Sequence, residues 1–352
     1  MKPVSRYLIE SILKHWNHYY AVLPYNLNWQ RSLSTQERQF LAQNPIVVCD
    51  VGARGAAPEE LAPLFGDILY YAFDADEEEC NRLRQLDHPY RERFLFPYFI
   101  GSDATEVPFY LYKVRGESSP YRPGRRFATV FAGADFAVER EVAMSSISLD
   151  SFFASEQAPL PDFLKLDTQG SELEILQGAS RAVMHASLIE VEAEFIEMYE
   201  GQPLFKDILE FMTANGFELL YLNRVFGHRT QFFTGGSRGQ LVFGDALFGR
   251  REDHLADLSP AQIAKYVLLL RNYGHIDFAN HLLLLQPDLK EQFPFLRHAI
   301  PRPIQGGRLR RFLLGRLKHT LLAQLDKLIL ILLHLRGHNR LTNDSDRSWP
   351  IR

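Results

Sequence analysis

Four acids and a pair of glycines are the residues of this chain whose spacing could do chemistry together. Asp50-Val51-Gly52-Ala53-Arg54-Gly55 is a D-x-G-x-x-G turn that follows the apolar run Ile46-Val47-Val48-Cys49. Glycines there let the backbone turn tightly and approach a ligand closely. The turn lacks the G-x-G-x-x-G spacing that cradles a pyrophosphate, and Asp50 beside it would repel a diphosphate. By itself it also fits an ordinary strand–turn–helix. Asp74 stands 24 residues beyond Asp50, at the end of the next apolar run. That is near the ~20-residue spacing of an acid that accepts hydrogen bonds from two ribose hydroxyls. Asp76 competes for the role, and an acid at a strand end can equally cap the next helix. Asp103 and Asp167 end two further runs and would share the rim where ligands of open α/β sheets bind. Four acids on one rim exceed what helix capping requires. They suit a cofactor that carries positive charge, as a sulfonium does.

The elements that must hold these acids alternate between strand and helix, which predicts a parallel sheet with crossover helices. Ile46–Val51 reads as a strand buried on both faces, because its apolar run is continuous. Strands are then expected at Ile68–Phe73, Leu95–Ile100 (running into Gly101-Ser102-Asp103), Val107–Val114, Asp162–Asp167 and Ser187–Phe195. In the last of these Glu190, Glu192 and Glu194 alternate with Ile189, Val191 and Ala193. Helices are expected at Glu59–Phe65, Glu77–Leu86, Glu172–Gln177 (stopped by Gly178) and Phe205–Asn215. Phe217–Leu222 and Gln240–Phe248 read as closing strands, and Gly116–Gly124 as an irregular loop. Ser34-Thr35-Gln36-Glu37 has capping-box spacing, and Ser259-Pro260 starts a further helical stretch. The fold class is therefore α/β: a doubly wound, mostly parallel sheet with helices on both faces, extended by helices at both ends.

Composition narrows the function classes. The chain is 46% hydrophobic and 23% charged, ordinary for a globular protein, and its net charge of −4 argues against a nucleic-acid binder. Between Arg302 and Arg340 nine Lys/Arg face one acid, Asp326, so that segment carries +8 and the remainder −12. Two cysteines, Cys49 and Cys80, make no disulfide framework, and a reducing, cytoplasmic setting is expected. No secretory signal, internal repeat or uninterrupted ~18-residue apolar stretch is evident. The twelve histidines show no zinc-binding spacing, so no metal ligand is assigned.

Three blocks together resemble the FkbM-type S-adenosylmethionine-dependent methyltransferases. The first is Val48-Cys49-Asp50-Val51-Gly52-Ala53-Arg54-Gly55, and the second is Phe73-Asp74-Ala75. Many class I methyltransferases share these two. The third, Asp162-Phe163-Leu164-Lys165-Leu166-Asp167 through Gly170, Glu172 and Gly178-Ala179, is long and specific. Glu190-Val191-Glu192 and Tyr199–Phe205 look like the family's next block, and the likeness spans about 45–250. The chain departs from the pattern at Arg54, where the family often has Asn, and at Asp74-Ala75, where it often has Glu-Pro. Arg54 could pair with the cofactor carboxylate or with Asp50.

The resemblance implies a Rossmann-like class I methyltransferase fold that binds S-adenosylmethionine. It implies that Asp50, Gly52, Ala53 and Gly55 contact the methionine and ribose side, that Asp74 holds the ribose hydroxyls, and that Ser102 and Asp103 face the adenine. The implied reaction is methyl transfer to a hydroxyl of a sugar, glycan or small metabolite. A hydroxyl needs a base, for which Asp167 is the first choice and Glu192 the second, with Lys165 and Gln169 as positioning residues. Asp167 and Glu192 could also hold a hard cation, but no third ligand is evident. The alternatives are a nucleotide-binding oxidoreductase on a similar sheet and a non-catalytic adaptor. The expected organisation is a helical, aromatic-rich extension (1–45), the cofactor-binding domain (46–250), a helical extension (251–300), a basic leucine-rich helix (301–340) and a polar tail (341–352). The helix over 308–335 suits a peripheral contact with the inner face of a membrane or a partner's groove, and equally a packed helix or a homo-oligomer contact.

Overall fold

A computed structural model describes residues 33–132, 136–229, 239–300 and 341–344. The aromatic run within 1–32, the loop 230–238, the basic helix expected at 308–335 and the residues after 344 lie outside these.

The capping box at Ser34 forms as expected. Ser34 Oγ accepts from the Glu37 amide at 3.2 Å, Glu37 accepts from the Ser34 amide at 2.6 Å, and Thr35–Gln43 (α1) follows. Ile46–Val51 (β1) is buried along its whole length, as a central parallel strand should be. The helix expected at Glu59–Phe65 forms as a 3-10 segment, Glu59–Asp67, with Pro63 inside it. Ile68–Phe73 (β2) and the helix Glu77–Arg84 (α2) follow. The strand expected at Leu95–Ile100 is split by Pro97-Tyr98: Glu92–Phe96 (β3) closes one edge of the main sheet, while Phe99–Ile100 (β4) leaves it. Val107–Tyr112 (β5) and Val138–Met144 (β6) form a separate antiparallel hairpin, and Ser146–Ile147 (β7) pairs with β4. Leu149–Ser155 (α3), Phe163–Leu166 (β8), Glu172–Gln177 (α4), Ser180–His185 (α5), Leu188–Glu194 (β9) and Phe205–Ala214 (α6) complete the alternating part. Phe217–Gly227 (β10) and Gln240–Arg250 (β11) are longer than expected and antiparallel to each other. Pro260–Asn272 (α7) and Ile276–Leu285 (α8) come next, and Leu341–Asp344 (β12), read from sequence as tail, pairs with β10.

The main sheet has the order β12-β10-β11-β9-β8-β1-β2-β3. From β3 to β9 every pairing is parallel, whereas β11 lies antiparallel between β9 and β10. Sequence order reverses between β1 and β8, and such a switch point opens a crevice at the strands' carboxyl ends. Val47, Cys49 and Val51 pack with α3 to α6 on one face, while Ile46 and Val48 pack with α1, α7 and α8 on the other. The sheet is therefore wound on both sides. Among the described residues no helix is long and apolar enough to cross a membrane.

Two buried ion pairs tie α7 to its neighbours, one at the start of β8 and one in α1. Lys265 reaches Asp162 Oδ2 at 2.6 Å, and the same oxygen accepts from the Val47 amide at 2.8 Å. Arg271 pairs with Glu37, and both are fully buried. Breaking a buried pair leaves one charge uncompensated. Arg271→Leu is expected to cost about 3–5 kcal/mol in urea unfolding, and Glu37→Leu combined with it to cost less than the single change.

Candidate active site

The switch point between β1 and β8 opens into a cavity of about 730 Å³, within the range of small-molecule sites. Its floor begins at Gly52, whose φ of +84° is the left-handed conformation glycine adopts without strain. A Cβ there would stand 1.8 Å from the Asp167 carbonyl oxygen, so only glycine lets the turn lie against the end of β8. The Gly52 and Ala53 amides both donate to the Phe73 carbonyl, at 2.8 and 2.9 Å, which pins the turn to β2. These amides are consumed by the fold and offer no cradle for a phosphate. Asp50 is 2% exposed, accepts from Tyr70 Oη at 2.5 Å and lies 3.4 Å from Lys165 Nζ.

Asp74 and Asp76 divide the two roles that an acid after β2 could take. Asp76 caps α2 by accepting from the amides of Glu78 and Glu79, at 3.0 and 3.4 Å. Asp74 is left facing the cavity, its Oδ1 accepting from the Asp76 amide at 2.7 Å. Arg54 does not pair with Asp50. Its guanidinium bridges Asp74 at 3.2 Å and Asp76 at 3.3 Å. Burial pushes the Asp74 carboxyl up to about 6, against the downward pull of Arg54. A diol is bound through the ionised form, so affinity should fall as pH drops below that value. S-adenosylmethionine is expected to bind about tenfold more weakly at pH 5 than at pH 7.5, measured by calorimetry.

Register aligns the remaining polar groups across the sheet. Lys165 lies beside Asp50 on one side and Glu190 on the other, and Glu192 lies beside Asp245. Lys165 Nζ stands 3.4 Å from both Asp50 and Asp167. Burial would lower its ammonium, but Asp50, Asp167 and Glu190 outweigh that and hold it charged. Gln169, at φ +61°, donates Nε2 to Asp167 at 3.1 Å and to Glu192 at 2.9 Å. Its own Oε1 accepts from Tyr199 Oη at 2.8 Å. The turn that carries Gln169 is held by Glu172, which accepts from the Thr168 and Gly170 amides at 2.7 and 3.0 Å. Burial and the neighbouring acids push Glu190 up to about 8, Asp245 to about 6, and Glu192 well above the usual carboxylate range.

Of the residues singled out in the sequence, Asp50, Gly52, Gly55, Asp74, Lys165, Asp167 and Glu192 all line this cavity. Ala53 sits behind it, buried, with its amide on Phe73. Ser102 and Asp103 do not line it. Asp103, at φ +60°, turns its carboxylate onto the start of α3, accepting from the Ser148 amide at 2.7 Å and Ser151 Oγ at 2.8 Å. The cavity wall expected there is formed by Tyr98, Phe99 and Ile100. Sequence reasoning missed Asp245, Tyr199 and Tyr273, the last of which donates to Glu190 at 2.9 Å. An acid set among the apolar residues of β11 was the one available signal for Asp245. Among the described residues no three His, Cys, Asp or Glu side chains could jointly hold a metal ion.

A mostly parallel sheet wound on both sides, with a cavity at its switch point, an acid after β2 that faces it and no phosphate cradle, has the architecture of a class I methyltransferase. Residues 50–219 match the family model described as a methyltransferase FkbM domain. The family's cofactor is S-adenosylmethionine. The match stops within β10, short of the 45–250 suggested by the motifs, so β11, α7 and α8 lie beyond it. No curated protein matches the chain in sequence. Among solved structures it is similar to a precorrin-6y C5,15-methyltransferase from Geobacter metallireducens GS-15, with 10% identity over 62% of this chain and 93% of that one, at a TM-score of 0.32. A magnesium protoporphyrin IX methyltransferase from Synechocystis PCC 6803 with bound SAM has 13% identity over 61% and 76%, at 0.28. A TehB-like SAM-dependent methyltransferase from Corynebacterium glutamicum ATCC 13032 Kitasato has 12% identity over 69% and 97%, at 0.27. The fold class rests on the sheet order and register rather than on these likenesses.

Proposed function

We propose that this chain transfers a methyl group from S-adenosylmethionine to a hydroxyl of a sugar, glycan or related small metabolite. The observation that carries this reading is the setting of Asp167. Lys165 holds one of its carboxylate oxygens and Gln169 the other, beside the cofactor seat and on the wall of the same cavity. An alcohol is a poor nucleophile until its proton leaves, and a carboxylate fixed at both oxygens is a pre-aimed base.

The cofactor, when bound, supplies an electrophilic methyl on a cationic sulfur. The residues fit it: Asp74 accepts hydrogen bonds from a ribose diol once Arg54 yields, and buried Asp50 offers negative charge near the sulfonium. Tyr98, Phe99 and Ile100 give the flat base an apolar wall in place of Ser102 and Asp103. Asp167 takes the hydroxyl proton, Glu192 stands as the second acid, and Lys165 with Gln169 fixes both. Rate then comes from holding the oxygen and the methyl in line at near-contact distance.

The test supplies methyl-labelled S-adenosylmethionine to the full-length protein with extracts of the producing cells. Label stable to mild alkali and located on oxygen by fragmentation supports the reading. Label on nitrogen, carbon or sulfur, or no transfer by a protein that binds the cofactor, contradicts it.

A further inference from the structure

One wall of the cavity carries three carboxyl groups whose described hydrogen-bond partners are all neutral. Tyr273 Oη donates to Glu190 Oε2 at 2.9 Å, Gln169 Nε2 to Glu192 Oε1 at 2.9 Å, and Asn223 Nδ2 to Asp245 Oδ2 at 3.0 Å. All three acids line the cavity. Glu192 is 9% exposed, and no described residue donates to its second oxygen. No described lysine or arginine that lines the same cavity hydrogen-bonds the three, although Lys165 lies beside Glu190 and partly offsets the charge of Glu190 and Asp245. Arg54 bridges Asp74 and Asp76, Arg115 pairs with Glu139 at 2.9 Å, and Lys165 lies between Asp50 and Asp167.

The three donors come from three different elements: the end of α7, the turn after β8, and β10. Tyr273 and Asn223 both lie outside the family-matched segment. Each fixes one carboxyl from one side and leaves the rest of it for a ligand, which is how a preorganised polar site is built. Crowded carboxyls in a low-dielectric site keep protons until an opposite charge arrives, and burial with mutual repulsion raises all three here. An ammonium entering the site would replace those protons with charge-assisted hydrogen bonds, about twice as strong as neutral ones. A carboxylate or phosphate would be repelled. The cofactor carries a sulfonium and an α-ammonium beside its own carboxylate, so the wall must be tested with the cofactor seat already filled.

We propose that Glu190, Glu192 and Asp245 form a subsite for a protonated amine of the acceptor, so that the substrate is an amino sugar or another amino alcohol. Its ammonium sits on this wall while its hydroxyl meets Asp167. The inference rests on the methyl-transfer reading above, and it goes further by specifying the charge of the acceptor.

The test uses full-length protein saturated with S-adenosylhomocysteine and three probes of one ring shape: glucosamine, N-acetylglucosamine and glucuronic acid. Calorimetry at pH 7 should show glucosamine bound at least tenfold more tightly than the other two. Its binding should release protons, seen as heats that change with the buffer. Glu192→Gln and Asp245→Asn should each erase that preference while S-adenosylhomocysteine still binds. No preference for glucosamine, including no measurable binding of any probe, overturns the proposal. So does a preference that appears only with added magnesium and vanishes with chelator, which would make the wall a metal site. If glucosamine is preferred but no methyl reaches any oxygen in the labelled-extract assay, the transfer reading fails and the amine subsite stands.

Discussion

Gly52→Ala is expected to abolish cofactor binding and to cost the fold about 3–5 kcal/mol. Two independent strains combine. The backbone at φ +84° is unfavourable for any residue with a Cβ, by roughly 1–2 kcal/mol. The new methyl would also lie 1.8 Å from the Asp167 carbonyl oxygen and 2.7 Å from its carbonyl carbon. Both contacts are backbone, so no rotamer change relieves them, and either the turn or the end of β8 must move. Movement of either part displaces Asp50 from Lys165 or Asp167 from Gln169. Urea unfolding reads the first loss, and calorimetry with S-adenosylmethionine should show affinity weakened at least a hundredfold. Gly55→Ala is the control. No atom lies within 4 Å of the Cβ it would add, so its stability should stay within about 0.5 kcal/mol of the parent. The two glycines of one motif are thus present for different reasons.

Asp167→Asn should leave cofactor affinity within a few-fold and lower the methyl-transfer rate by about 10²–10⁴. The substitution is isosteric, so the amide can still meet Gln169 and keep the turn in place. It can no longer take a proton, and it returns Lys165 to Asp50 alone. A rate loss with cofactor binding intact assigns Asp167 to chemistry. Equal loss of both would make it part of the seat, and no loss would remove it from the mechanism and point to Glu192.

The parts of the site that could be read from the sequence are those set by chain-local physics. Ile46–Val51 is a continuous apolar run because it is central in a parallel sheet, and its turn must follow at once. The acid after β2 was visible, but its two candidates were separated only by structure, where Asp76 caps α2 and frees Asp74. What depended on long-range register stayed hidden. Asp245 reaches the cavity because β11 folds back antiparallel beside β9, a pairing that no local pattern encodes. Tyr273 reaches Glu190 from the end of a helix 83 residues away in the chain. Arg54 could be placed near the seat, yet its partners follow from how a long side chain crosses to the next loop. Asp103 misled because strand-end acids look alike in sequence. Its left-handed backbone and the nearby start of α3 turn it into a cap. The break of the third strand at Pro97 was legible in principle, since proline cannot donate within a ladder.

The turn Asp50–Gly55 and Asp74 are expected to seat S-adenosylmethionine rather than a dinucleotide. Calorimetric titration of the full-length protein with S-adenosylmethionine and with NAD, repeated on Asp74→Asn, tests it most directly. The predicted result is one S-adenosylmethionine bound per chain, no measurable heat with NAD, and about 10- to 100-fold weaker cofactor binding in Asp74→Asn, the loss expected for a charged hydrogen-bond acceptor. Tight binding of NAD with none of S-adenosylmethionine, or an Asp74→Asn protein that binds the cofactor as well as its parent, would contradict it.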